Sequence, residues 1–321
     1  MLRIAVAGGA RLGMSLIEPL AESPHELVAI IQDGRKVRGW RRRLFPLLSG
    51  LTNNRMSVAG YAHSEGIPLI WLDTMTSEEL APLAALEPDL ILVGGFGIIL
   101  KPRILELPRI GCVNCHSSLL PRHRGPNPFA WALLSGDDET GVSFHVMDPG
   151  IDTGDILDQT AFPIGSDDTT LSIYRRACDV SRQRVVPLMD RIEAQGLRGT
   201  PQDPARATYE KQPTEKDAWI DWRRPADSIE RQIRALSPSP AARFLHAGRT
   251  IYAHRAACDP QETDARPGVV LECGAQTLVA TGKGSLRIRM AFMKRPFPFI
   301  WPAPWHGPRP GDQLPVPEDA E

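Results

Sequence analysis

Within residues 111–125, Gly-Cys-Val-Asn-Cys-His-Ser-Ser-Leu-Leu-Pro-Arg-His-Arg-Gly, an amide and an imidazole stand two positions apart, at Asn114 and His116. Side chains two apart on an extended strand share a face, so these two groups converge on one point. A carboxylate joins them from a turn-rich segment, Asp148-Pro149-Gly150-Ile151-Asp152-Thr153-Gly154. There Asp152 can orient a water or the imidazole and raise its proton affinity. Acyl transfer passes through a tetrahedral intermediate, which needs a donor for the oxyanion and a group that manages the attacking group's proton. Asn114 fits the first need. His116, with an ordinary pKa of about 6.5, can bond the oxyanion or move the proton near neutral pH. The chemistry that suits the set is acyl transfer without a covalent nucleophile.

The flanking sequence supplies elements able to hold such groups. Residues 3–7 are a short apolar run, and the glycines at 8, 9 and 13 open a segment with Leu12, Leu16, Ile17 and Leu20 on one helical face. Strands are expected at 26–32, 68–72, 90–93, 112–115 and 140–147, and helices at 77–86, 127–134 and 171–195. Alternation of this kind implies crossovers and a parallel sheet. Gly94-Gly95-Phe96-Gly97 falls at the carboxyl end of its strand, where open α/β sheets bind ligands. Pro201-Gln202-Asp203-Pro204 reads as a linker, giving domains 1–200 and 201–321. Beyond it a helix at 226–236 precedes short strands at 250–253, 269–272, 277–280 and 286–291, which suggests a small barrel. A tail at 295–310, dense in Pro and Trp, has no periodic reading.

The stretch Asn114-Cys115-His116, Ser118-Leu119-Leu120-Pro121, Arg124-Gly125 resembles the signature of the 10-formyltetrahydrofolate-dependent formyltransferases. Thr140-Gly141-Val142, Met147-Asp148 and Gly150-Ile151-Asp152-Thr153-Gly154-Asp155-Ile156 are similar to that family's second signature, in the expected order. The resemblance implies a Rossmann-like catalytic domain in which Asn114, His116 and Asp152 are the catalytic trio. It also implies that the folate co-substrate lies against Phe96, Ile98 and Leu100, the Ser118, Leu119, Leu120 and Pro121 turn, and Asp148. No metal is required. After the linker, Ala207-Thr208-Tyr209, Ile220-Asp221-Trp222, Ile233-Arg234-Ala235-Leu236-Ser237-Pro238 and Ala280-Thr281-Gly282-Lys283-Gly284 resemble the C-terminal, OB-like barrel domain of the methionyl-tRNA formyltransferases. That likeness implies charged initiator tRNA as the acceptor. An inserted basic loop with Arg35, Lys36, Arg38, Arg41, Arg42 and Arg43, and Trp40 among them, occupies the position from which that branch approaches the acceptor stem. The chain departs from the branch at Gly8-Gly9-Ala10-Arg11 and at Pro126-Asn127-Pro128, where the acceptor should lie. An amino-sugar nucleotide or a secondary-metabolite amine is the alternative acceptor.

Other readings compete for the same residues. Gly8, Ala10 and Gly13, with Asp33 about twenty residues on, imitate a dinucleotide fingerprint and would make the chain an NAD-dependent oxidoreductase. Cys112-Val113-Asn114-Cys115-His116 spells a haem attachment pattern, although Cys112 and Cys115 read better as buried packing residues. A non-catalytic nucleic-acid module would leave the trio without a purpose, and a hydrolase releasing formate from the same folate differs only in using water. A net charge of −1 over 321 residues leaves nucleic-acid affinity to a local patch. Five dispersed cysteines argue against a disulfide framework. The apolar runs are too short to span a bilayer and Met1 to Ala7 reads as a strand, so a cytoplasmic enzyme is expected.

Overall fold

The structure, a computed structural model, describes residues 1–37, 39, 41, 42, 44, 57–260, 262–292 and 308–316. Its first six strands fall on the expected runs, β1 (Arg3–Gly8), β2 (Glu26–Asp33), β3 (Leu69–Leu72), β4 (Leu90–Gly94), β5 (Gly111–His116) and β6 (Glu139–Val146), and β7 (Ile156–Pro163) follows them. They form one seven-stranded sheet in the order β3-β2-β1-β4-β5-β6-β7. The first five in that order run parallel, as their alternation with helices demands, whereas β6 returns antiparallel to β5. That reversal brings Asn114 opposite His145 and His116 opposite Ser143.

Both faces of the parallel portion are covered. Helix α1 (Ala10–Ala21) buries Leu12, Leu16, Ile17 and Leu20, and each fully buried aliphatic of this kind is worth about 1.5–3 kcal/mol. Ala5, Ala7, Ala29, Ile31, Ile91, Val93 and Cys112 share a core with Leu80 and Leu83 of helix α3 (Ser77–Ala84), helix α2 (Val58–Ser64) lying earlier in the chain. The glycine-rich turn after β1 is a packing device. A side chain on Gly8 would bring Cβ within 2.7 Å of the Gly94 carbonyl, and one on Gly13 within 2.9 Å of the Gly8 backbone. The short helix α4 (Pro102–Leu105) leads into β5.

Two compact units are present: Met1–Gly125, Thr140–Phe162 and Tyr174–Tyr209 make one, and Pro126–Glu139, Pro163–Ile173 and Glu210–Glu321 the other. The first holds most of the long helix α6 (Thr170–Gln195), which stops at Gly196 with φ +71°. The second contains helices α5 (Pro128–Ser135) and α7 (Ala226–Leu236) and five antiparallel strands in the order β10-β11-β12-β9-β8. These are β8 (Ala242–His246), β9 (Arg249–Asp259), β10 (Val270–Cys273), β11 (Thr277–Ala280) and β12 (Ser285–Phe292). Ile229 and Ile233 of α7 pack with Trp222, Phe244, Ile251 and Leu286, and the Trp222 and Phe244 rings meet edge to face at 5.4 Å.

Two strands lack a readable sequence pattern. In β7 only Leu157 and Phe162 are buried, because it lies at the sheet edge. In β8 the buried position Arg243 breaks the apolar alternation; its guanidinium reaches Glu215 and the Pro240 carbonyl and lies over the Trp219 and Tyr252 rings. Of the Pro/Trp-dense tail at 295–310, residues 295–307 lie outside the described residues.

Candidate active site

One row of side chains crosses four strands of the sheet: Ala7, Val93, Asn114 and His145 are successive register partners. The row passes from apolar to polar at β5, at the carboxyl ends of the parallel strands, where the strands stop and a cleft can open. Asn114 Nδ2 lies 3.2 Å from His145 Nε2 and donates to Asp152 Oδ1 at 3.3 Å. His145 Nδ1 is 2.8 Å from the Val146 carbonyl, and its Nε2 also stands 3.4 Å from Asp152 Oδ1, so the ring borders both the amide and the carboxylate.

His116 is held from both ends. Its Nε2 meets the His123 carbonyl at 3.0 Å, so the neutral ring keeps its proton there and leaves Nδ1 as the acceptor nitrogen. Nδ1 stands 3.6 Å from Asp152 Oδ2. The same carboxylate oxygen accepts the Gly125 N–H at 2.8 Å. The three sequence-predicted residues therefore meet, and His145, His123 and Gly125 complete the cluster.

Local folding explains the geometry. After His116 the chain doubles back: Ser118 is fully buried, its Oγ donates to the Arg122 carbonyl at 2.7 Å, and Ser143 Oγ donates to the Ser118 carbonyl at 2.6 Å. Gln159 of β7 ties this turn to the sheet by donating to the Leu120 carbonyl and to Ser143 Oγ. The return places His123 at φ +56° with its carbonyl facing the ring. Asp152 is also left-handed, at φ +54°. Non-glycine residues adopt that region at a cost of about 1–3 kcal/mol and keep it only where the surroundings impose it. Asp148 closes the loop on itself, its Oδ1 accepting from Gly150 N at 3.0 Å and Thr153 Oγ1 at 2.5 Å. Gly154 has no room for a side chain beside the Val146 carbonyl.

Electrostatics divide the pair. Burial opposes ionisation of Asp152, but the His145 ring, the neighbouring His116 and the Gly125 N–H outweigh it and hold the carboxyl at about 2. Burial pushes the His116 pKa below its ordinary value, against the opposing pull of Asp152 and the His123 carbonyl. At neutral pH the site thus holds a carboxylate facing an uncharged imidazole, a pairing suited to accepting a proton.

The residues expected to meet the folate divide into two groups. Phe96 and Ile98 are half-buried against the core beside Met147, and Ile99 is 76% exposed between them and Leu100. Leu100, Ser118 and Leu120 are buried in the framework, and Asp148 is spent inside its own loop. Leu119 is half-buried and Pro121 is buried. The second unit carries an open cavity of about 610 Å³ lined by Arg231, Arg234, Cys258 and Arg289 among others. None of its lining residues belongs to the polar cluster.

Several alternative readings lose their footing here. Asp33 is bound by Arg35, Nε to Oδ1 at 3.0 Å and Nη2 to Oδ2 at 2.9 Å, so its carboxylate is already occupied where a ribose would need it. Cys112 and Cys115 point to opposite faces of β5, one toward the Ile104 carbonyl and the other toward Ser181. Burial pushes both thiols up to about 12, consistent with packing and not with ligation. In the basic loop, Arg35 also donates to the Gly97 carbonyl, and Arg42 to the Val37 and Gly34 carbonyls and to Asp73. Arg41 is exposed; Arg38, Trp40 and Arg43 lie outside the described residues, as does the side chain of Lys36.

The chain is similar to known proteins along most of its length. Residues 3–188 match the formyl transferase family and residues 213–295 the formyl transferase C-terminal domain. Among curated relatives, the methionyl-tRNA formyltransferase of Pseudomonas paraeruginosa is 36% identical over 89% of the chain and 90% of its own length. That of Methylococcus capsulatus is 34% identical over 89% and 91%. A solved N-formyltransferase from Helicobacter canadensis, in complex with folinic acid and dTDP-3-aminofucose, superposes with a TM-score of 0.68 at 21% identity, over 90% of this chain and 98% of its own. That last likeness is one of fold.

Proposed function

Because the chain belongs to the formyl transferase family, we propose that it moves the formyl group of 10-formyltetrahydrofolate to a primary amine, and that the amine is the amino group of methionyl-tRNA. The observation that carries the reading is the Asp152 carboxylate set between His116 and Asn114. The acceptor is supported by the names of relatives that share about nine-tenths of their length with this chain. Formyl transfer is assigned to residues 1–200, and residues 201–321 are read as the second domain.

In the reaction, the unprotonated amine attacks the formyl carbon, and His116 Nδ1, the acceptor nitrogen, takes the proton the amine releases. The imidazolium so formed is stabilised by Asp152, already ionised 3.6 Å away. Asn114 turns an N–H toward the oxyanion; its present bonds of 3.2 and 3.3 Å are long, so exchanging one for an anionic acceptor is inexpensive. Collapse breaks the bond to the folate nitrogen, which regains the proton from His116. Phe96 and Ile98 offer the apolar wall for the folate. The basic loop with Arg35, Lys36, Arg38, Arg41, Arg42 and Arg43 is assigned the phosphate contacts with tRNA, Arg35 and Arg42 being also paired with Asp33 and Asp73.

The test is incubation with 10-formyltetrahydrofolate and a panel of methionyl-tRNA and amino-sugar nucleotides. Formyl-methionyl-tRNA is the expected product. Formylation of a sugar amine alone would move the acceptor to the alternative, for which Pro126-Asn127-Pro128 speaks as a departure from the tRNA-modifying pattern.

A further inference from the structure

Gln202 sits in a stretch whose prolines read as a plain linker, yet its side chain is part of the framework around the site. Its Nε2 donates to the Asp152 carbonyl at 2.9 Å and to the Gly154 carbonyl at 2.7 Å. Its Oε1 accepts from Arg124 Nε at 3.2 Å and Nη2 at 2.8 Å. Arg124 is buried and is further held by the Tyr209 hydroxyl at 2.5 Å. Its backbone N–H donates to the Thr208 carbonyl, and that of His123 to Thr208 Oγ1 at 2.8 Å.

The two partners of the Gln202 amide are therefore the two segments that contact His116. On one side, Asp152 faces Nδ1; on the other, the residue before Arg124 supplies the carbonyl on Nε2. A carboxamide suits this place because it accepts from a guanidinium with one atom and donates to two carbonyls with the other. A carboxylate cannot donate and an ammonium cannot accept. The arrangement also meets a need, since Asp152 and His123 both hold left-handed backbone that their neighbours must enforce.

We propose that Gln202, paired with Arg124, is a positioning residue for formyl transfer, holding the Asp152 loop and the His123 carbonyl at fixed distance on either side of His116. It rests on the reading of His116 as the proton acceptor. It touches neither substrate nor reacting atoms, so its effect must show as a change at His116.

The experiment uses the full chain with Gln202→Glu, which keeps the acceptor for Arg124 and removes both donors, and Gln202→Leu, which removes the amide's hydrogen bonds on both sides. Two quantities are read: the titration of the His116 ring by NMR in the substrate-free protein, and kcat and KM for the formyl donor across pH. The groups facing the ring are Asp152, His123 and His145. Since Asp152 supports protonation of His116, a displaced loop moves the His116 titration to lower pH. In the same variants kcat is expected to fall roughly 10-fold or more with KM changed less than about twofold. An unshifted titration with kcat within about twofold of wild type, in folded variants, overturns the proposal. So does loss of folding in both, which would make Gln202 a residue of the fold alone. If the wild-type chain formylates no amine, the functional reading fails, while the titration still tests whether Gln202 sets the surroundings of His116.

Discussion

Asp152 presents one carboxylate oxygen to both His116 Nδ1, at 3.6 Å, and the Gly125 N–H, at 2.8 Å. The shorter bond fixes the carboxylate, and at the longer separation Nδ1 makes no hydrogen bond to it. A tighter approach to Nδ1 would commit that nitrogen to Asp152 and close it to an incoming amine.

With His116 as the proposed proton acceptor, its protonation is expected to set the acidic limb of the pH profile. Burial lowers its pKa, so kcat/KM should rise with pH below the ordinary imidazole range and be level through neutrality. A limb centred above about 6.5 would show that the group titrating is not this buried ring.

Asp152→Asn keeps the shape and removes the charge. The imidazolium loses its stabilising neighbour, and kcat should fall by about 10²-fold. The carboxyl is depressed from 3.8 to about 2 in the folded chain. A depressed acid contributes stability above its unfolded pKa that is lost as pH falls through the folded one, here about 2 kcal/mol. Denaturant melts of wild type and variant should therefore differ at pH 6 and converge toward pH 2. Equal melts at both pH values would contradict the ionised, caged carboxylate.

Asn114→Asp places a second carboxylate beside Asp152 and removes the amide donor. Loss of one oxyanion donor costs about 10²–10³ in kcat, and the like charges should raise the pKa of the pair. Steady-state kinetics with the folate donor decide it; a variant within about tenfold of wild type would place the oxyanion elsewhere.

The basic loop makes a contrast between neighbours. Replacing Arg38, Arg41 and Arg43 by Ala should flatten the dependence of tRNA affinity on salt, by about one unit of slope for each phosphate no longer neutralised. Arg35→Ala should instead raise KM for the formyl donor, because Arg35 holds the Gly97 carbonyl beside Phe96 and Ile98. Binding measured at several salt concentrations separates the two; an unchanged slope for the triple variant removes the loop from tRNA recognition.

Much of this architecture is legible in the chain. Leu12, Leu16, Ile17 and Leu20 declare α1 by spacing alone, and Asn114 and His116 share a face for the simple reason that strands alternate. The parts that are not legible depend on long-range register. His145 becomes a partner of Asn114 only because β6 runs antiparallel to β5 and pairs at that offset, which no local pattern encodes. Gln202 reads as linker because prolines flank it, while its hydrogen bonds reach residues about fifty and eighty positions away. Arg35 and Arg42 look like part of a solvated basic stretch, yet their charges are answered by Asp33 and Asp73. In each case the residue type is visible and its partner is set by the tertiary fold.

The most direct measurement is single-turnover formylation of methionyl-tRNA by the full chain, saturated with 10-formyltetrahydrofolate, for wild type and His116→Ala at pH 7. The expected result is formyl-methionyl-tRNA from both, with the variant slower by roughly 10²-fold or more and tRNA binding unchanged. Equal rates, with the formylated product appearing as fast from the variant as from wild type, would contradict the assignment of His116 as the proton acceptor.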